Sequence, residues 1–179
     1  MTRALQAVPA ADATTFREVM GHCPSTVAVV ATMTPAGPIG CAATAFLSLS
    51  VDPPALVVSL DSRGRTLSDI AEAGRFAVNL LSQDQHDLVR IFSQTHRDHR
   101  FDEVEYLVED GVPLLSQACA TLSCRLTQAV PALDHTLLVG LVVAVDQVRA
   151  EPLLISHGQP HRALPIPVEP PAVGIARAS

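Results

Sequence analysis

Gly37-Pro38-Ile39-Gly40-Cys41-Ala42-Ala43-Thr44-Ala45-Phe46-Leu47-Ser48-Leu49-Ser50-Val51-Asp52-Pro53-Pro54-Ala55-Leu56-Val57-Val58-Ser59-Leu60-Asp61 is the stretch on which the reading of this chain turns. Two apolar runs flank an Asp52-Pro53-Pro54 corner. Proline fixes φ, lacks an N–H and disfavours helix in the residue before it, so the chain turns there and restarts as a strand at Ala55. The first run is made of small residues and hydroxyls. Cys41, Ala42, Ala43, Thr44 and Ala45 have almost no bulk, so a flat molecule could lie directly against their backbone. The same residues would also suit a strand packed closely under a helix, and the segment taken alone favours that second reading.

Upstream of that stretch, Thr26 to Met33 is a β-branched run and reads as a strand. Thr34-Pro35-Ala36-Gly37 is a turn signal, so Ile39 to Leu49 returns as the second strand of a hairpin. Ala55 to Leu60 is the third strand. Thr15-Phe16-Arg17-Glu18 fits a capping box, with Phe16, Val19 and Met20 on one face of a short helix reaching about His22. Residues 1–13 read as a flexible N-terminal end. Downstream, Thr66 is the expected cap of a helix from Leu67 to Ala73, and Gly74 ends it. Arg75 to Leu81 reads as a strand. Ser82 with Gln85 forms another capping box, and Leu88, Ile91 and Phe92 share a face of the helix that follows. Thr95 to Glu105 is a charged loop and Gly111-Val112-Pro113 a turn. Ala118 to Val130 and Thr136 to Val148 read as long paired strands, and Pro152 to Ser156 as a last short one. Residues 165–179 form a Pro-rich tail, with four prolines between Pro165 and Pro171. The sum is one mainly β domain over 14–164, a barrel with a few short helices.

Composition narrows the function. A chain of 179 residues buries roughly 70% of its unfolded surface and needs no disulfide or metal to hold a core. The formal net charge of −6 argues against nucleic acid, which demands a basic surface. No apolar run approaches the roughly 18 residues of a membrane span, and Met1 to Thr15 lacks the apolar centre of a signal peptide. Cys23, Cys41, Cys119 and Cys124 show no metal-binding spacing and read as reduced thiols, which with no export signal points to the cytoplasm.

No Gly-x-Ser-x-Gly, Walker or Rossmann glycine signature occurs. Asp61-Ser62-Arg63-Gly64-Arg65-Thr66 follows a strand and opens a helix. Hydroxyls, guanidinium groups and helix N–H groups can together bind a phosphate there, or simply cap the helix. His135 stands alone in Leu133-Asp134-His135-Thr136-Leu137. His96 and His99 flank Arg97-Asp98, but without a third ligand at a metal-binding spacing they read as a solvated loop, and no metal is expected.

Several pieces in register resemble one family. Thr44-Ala45-Phe46-Leu47-Ser48-Leu49-Ser50 is followed by Asp52-Pro53-Pro54 and an apolar strand. Ser62-Arg63-Gly64-Arg65-Thr66, Gly74-Arg75-Phe76-Ala77-Val78-Asn79-Leu80-Leu81 and Asp134-His135-Thr136-Leu137-Leu138-Val139-Gly140 come after it in order. From about Phe16 to Leu164 the chain resembles the flavin reductase-like family. The resemblance implies an FMN-binding split β-barrel of Greek-key type, in a homodimer with flavin at the subunit interface. It implies an NAD(P)H:flavin oxidoreductase that passes hydride from NADH or NADPH to FMN or FAD and supplies a separate monooxygenase. The alternative is a flavin-binding module without turnover. Hydride transfer needs no protein nucleophile, because the cofactors carry the chemistry. By the same resemblance Cys41, Ala42, Ala43 and Thr44 meet the ring and ribityl chain, with Ser48 as a substitute for the hydroxyl missing at Ala45. Asp61, Ser62, Arg63, Arg65 and Thr66 hold the phosphate end, Arg100 adds a further phosphate contact, and His135 positions the nicotinamide. Leu133 stands where the family commonly has Gly, and Ile155, Pro160 and His161 also depart from its pattern.

Overall fold

A computed structural model describes residues 10–164. Helix α1 spans Ala13–Gly21, followed by strands β1 (Ser25–Thr26), β2 (Ala28–Thr34), β3 (Gly37–Ala43), β4 (Phe46–Val51) and β5 (Pro54–Asp61). Then come α2 (Arg65–Ala73), β6 (Arg75–Leu80), α3 (His86–Gln94), β7 (Tyr106–Glu109) and β8 (Val112–Leu115). The long strands β9 (Ala120–Ala132) and β10 (His135–Gln147) precede β11 (Leu153–Ser156) and β12 (Gln159–Arg162).

Seven strands make one antiparallel sheet in the order β3-β2-β6-β9-β10-β5-β4. Its two edge strands, β3 and β4, are consecutive in the chain and joined only by Thr44 and Ala45. Three Cα steps reach at most roughly 11 Å. The sheet must therefore curl until its edges nearly meet, yet β3 and β4 do not pair. The result is a split barrel whose seam starts at Thr44.

Alternation in β2 fills both faces of the sheet. Ala28 and Val30 point into the barrel with Val58, Phe76, Val78 and Leu138, and Ile70 of α2 closes one end. Val27, Val29 and Ala31 point outward under Phe92 of α3 and Leu115 of β8. Asn79 is fully buried and fully used: its Nδ2 donates to the carbonyls of Val29 (3.1 Å) and Pro113 (3.2 Å), and its Oδ1 accepts from the Leu115 N–H (2.8 Å).

Some expectations shift. The expected strand from Ile39 to Leu49 is two strands, because the chain leaves one sheet edge and joins the other at Thr44-Ala45. The cap of α1 is Asp12, whose carboxylate accepts from the Thr15 N–H at 2.9 Å and the Thr15 hydroxyl at 3.1 Å. Thr15 had been expected in that role, but Asp is at least as good a cap and stands three residues earlier. Thr66 lies inside α2, whose N-cap Gly64 makes no side-chain bond. The Ser82–Gln85 capping box forms as expected, with a 3-10 turn over Gln83–Gln85 before α3. The charged loop contains a 3-10 turn, Arg97–His99. Val112 and Pro113 belong to β8, and the turn is Asp110-Gly111. β12 had not been expected from a Pro- and His-containing segment. Proline is tolerated at Pro160 because β12 is an edge strand. Residues 165–179 and most of the N-terminal end lie outside the described residues.

Candidate functional site

The seam opens into a cavity of about 750 Å³. Its floor is the end of β3 and the link beyond it: Cys41, Ala42, Ala43, Thr44 and Ala45. As an edge strand, β3 leaves half of its backbone N–H and C=O groups without a sheet partner. One wall is the end of β5 with the first turn of α2, including Asp61, Gly64, Arg65 and Thr66. The other wall is the end of α3 and the segment after it, including Ser93, Thr95, His96, Arg97 and Arg100. His135 enters from the start of β10, which pairs with Asp61 of β5.

Arg65 and Thr66 open a nine-residue helix that carries no side-chain cap, so the α2 N–H groups of the first turn have no side-chain acceptor. A helix N-terminus with free N–H groups and an adjacent guanidinium is a ready anion site. Arg100 also lines the cavity but is used structurally. Its Nε donates to the Thr95 carbonyl (2.9 Å) and its Nη1 to the Gly40 carbonyl (2.8 Å). Gly40 has to be bare, because a Cβ there would stand 2.9 Å from the Val30 carbonyl oxygen.

Asp61 is held by Arg63, which donates from its backbone N–H (2.8 Å), Nε (3.1 Å) and Nη2 (2.8 Å). These bonds keep the Asp61 carboxyl well below the usual carboxylate range. Arg63 itself faces solvent and does not line the cavity. Ser62 is also turned elsewhere: its hydroxyl bonds that of Thr136 at 2.9 Å and its N–H donates to the Asp134 carbonyl at 3.0 Å. Ser48 lies in a different, apolar groove on β4. The structure thus brings Cys41, Ala42, Ala43, Thr44, Asp61, Arg65, Thr66, Arg100 and His135 around one cavity and leaves Ser48, Ser62 and Arg63 off it.

His135 is oriented by its neighbour, since Nδ1 lies 2.8 Å from the Asp134 Oδ1. A carboxylate only accepts, so in this bond Nδ1 carries the hydrogen. The same bond, with the histidine's charge, holds the Asp134 carboxyl below its ordinary value. Leu133, at the tip of the β9–β10 turn, has φ 58° and is fully exposed. Burial pushes the Cys41 thiol up, while the Thr66 hydroxyl and the Arg100 charge pull the other way. Cys41 is therefore a small neutral group in the floor.

Sequence reasoning missed His96 and Arg97, which had been read as part of a solvated loop. Residues 20–163 match the family described as the flavin reductase like domain. The chain belongs to that family. It is 36% identical over 137 residues to a probable flavin reductase of Rhizobium meliloti, covering 75% of this chain and 44% of that one. It is 35% identical over 144 residues to the FMN reductase (NADH) SmoA of Agrobacterium fabrum, covering 80% of this chain and 82% of that one. Among solved structures it is similar to the styrene monooxygenase flavin reductase of Pseudomonas putida S12, with a TM-score of 0.77 and 31% identity, over 86% of this chain and 99% of that one. Among the described residues no helix is long and apolar enough to cross a membrane.

The cavity suits a flavin on its own terms. No floor residue is larger than threonine or cysteine, so a planar ring can reach the peptide backbone. Arg65, which has no ion-pair partner among the described residues, and the N–H groups of the first turn of α2, which no side chain caps, stand at one wall for a phosphate.

Proposed function

We propose that this chain is a flavin reductase that transfers hydride from reduced nicotinamide to flavin and releases the product to a separate monooxygenase. The observation that carries the reading is the juxtaposition of the small-residue floor, Cys41 to Ala45, with the uncapped N-terminus of α2 beside Arg65. The bound flavin supplies the hydride-accepting chemistry. Backbone N–H groups of the floor and the Thr44 hydroxyl would donate to the pyrimidine edge of the ring, where charge accumulates on reduction. Arg65, Thr66 and the first turn of α2 would hold the phosphate, which favours FMN as the ligand with a terminal phosphate. His135, fixed by Asp134, would offer Nε2 to the nicotinamide carboxamide. The relatives' names support this reading: one is called an FMN reductase acting with NADH and another the flavin reductase of styrene monooxygenase. The four free cysteines fit a reducing compartment, and we place the protein in the cytoplasm as a homodimer.

Purified protein, FMN and NADH should consume the nicotinamide absorbance at a rate that saturates with FMN. The same trial with FAD and with NADPH ranks the substrates. No consumption above the protein-free blank in any of the four combinations would refute the reading.

A further inference from the structure

The 95–100 segment, one wall of the cavity, is tied down at two points. Arg100 hooks it to β3 through the Gly40 carbonyl. Arg97 hooks it to α2, with its Nη2 2.9 Å from Asp69 Oδ2. Because α2 supplies the opposite wall, the Asp69–Arg97 pair joins the two sides of the cavity. Among the described residues it is the one ion pair between them.

Among the described residues it is the ion pair with both side chains largely withdrawn from water, and Arg97 also reaches Asp98 Oδ1 with its Nε at 3.3 Å. Asp69 and Arg97 are only 22% and 18% exposed, whereas Arg63 in the neighbouring Asp61 pair is 85% exposed. Withdrawing two charges from water is costly, and removing one partner of such a pair leaves the other charge uncompensated. The fit is also incomplete. Neither Asp69 Oδ2 nor Arg97 Nη1 completes a hydrogen bond of good geometry, although both atoms are buried. A carboxylate and a guanidinium meeting fork to fork would satisfy both. This pair is held by charge and proximity, so it closes the wall without locking it.

We propose that Asp69 and Arg97 are positioning residues for the ligand: together they hold the 95–100 segment against α2, and their pairing sets how fast flavin leaves the cavity. The inference rests on the flavin reductase reading. Asp69 does not line the cavity, so it acts through Arg97 and the segment that carries Arg97. A protein that hands its flavin on needs a wall that opens, and an imperfect ion pair supplies one.

The test compares wild type with Asp69→Asn, Arg97→Met, Arg97→Lys and the exchanged pair Asp69→Arg/Arg97→Asp. FMN dissociation is followed by flavin fluorescence, turnover by NADH consumption and folding by thermal denaturation. Asp69→Asn and Arg97→Met are expected to raise the FMN dissociation rate and KM tenfold or more. For Asp69→Asn, which leaves the cavity lining intact, turnover at saturating FMN should stay within about twofold. Arg97→Lys should fall between, and the exchanged pair should recover only part of the loss, because a carboxylate at position 97 then stands beside Asp98. Should Asp69→Asn fail to fold, Arg97→Lys and amide exchange of residues 95–100 with and without FMN decide instead, with faster exchange expected in the variant. Variants that melt earlier but release FMN at the wild-type rate would overturn the proposal and leave the pair a plain stabilising contact. A wild type that binds no flavin would overturn the underlying reading instead.

Discussion

Ala45 lines the cavity yet is exposed, so its methyl group is no part of the core. That makes it the position at which to test the floor without disturbing the fold. Ala45→Leu should crowd a flat ligand by about 1–3 kcal/mol, which is roughly 5- to 150-fold in affinity. Its melting temperature should barely move, since exposed substitutions usually stay within about 0.5 kcal/mol. FMN titration beside a melting curve checks both, and unchanged affinity would place the ring elsewhere. Titration at the rim is equally specific. Asp61 and Asp134 both have carboxyls lowered by their partners, Arg63 and His135. A depressed carboxylate contributes stability that is complete above its ordinary value of about 4 and is lost as pH falls through the lowered folded-state value. Between pH 5 and pH 8 these two groups should therefore add no pH dependence. On going from pH 5 to pH 3 the wild type should lose more melting temperature than Asp134→Asn. Because both carboxylates are exposed, the difference should be small.

At the scale of elements, the strands were legible because alternation and β-branched runs report directly on a half-buried sheet. The capping box at Ser82 and Gln85 was legible for the same kind of reason, since its partners are local in sequence. The break at Thr44-Ala45 was not, because the apolar run continues through it and only the pairing of β4 with β5 reveals it. The wall formed by Arg97 was equally hidden: its partner, Asp69, lies on a distant helix, and nothing local marks it. Strand β10 holds another long-range constraint at Gly140. A Cβ there would stand 2.5 Å from Phe76 Cζ and 3.0 Å from Cys124 Cβ. Phe76 and Cys124 are both fully buried in the same core, so neither neighbour is free to leave. Gly140→Ala should cost about 1–3 kcal/mol through overpacking. For a domain of this size that lowers the melting temperature by roughly 2–4 °C for each kcal/mol. Adding Phe76→Leu should recover part of the loss, and full stability of the single variant would show that the barrel has slack.

At the scale of the whole molecule, several large apolar side chains of the described residues stand exposed close together on β4 and on α1. The β4 groove, about 350 Å³, is lined by Phe46, Leu47, Val51, Leu56, Val142 and Val145. Leu47 is 56% exposed, Val51 85% and Val145 63%. Contiguous apolar patches of this kind mark interaction sites. β4 is an edge strand without a charged residue, but its register shift between Ser48 and Ser50 disfavours strand-to-strand addition. A face-to-face contact between two copies would cover the groove on both and require no other partner, as expected for an isologous dimer. Helix α1 makes the same demand, since its nine residues bury none of their side chains and leave Phe16, Val19 and Met20 in water. Helices that short are marginal in isolation and depend on packing. The wild type should therefore sediment at twice 18.9 kDa. Leu47→Asp with Val51→Asp should shift it toward monomer, because each charge would have to be buried against carbon. The melting temperature of the wild type should rise with protein concentration, and that of the double variant should not. If flavin binds where two copies meet, the double variant should also lose FMN affinity in step with dimer, although neither position lines the cavity. A wild type that sediments as a monomer and binds FMN at full strength would leave these apolar faces to some other occupant.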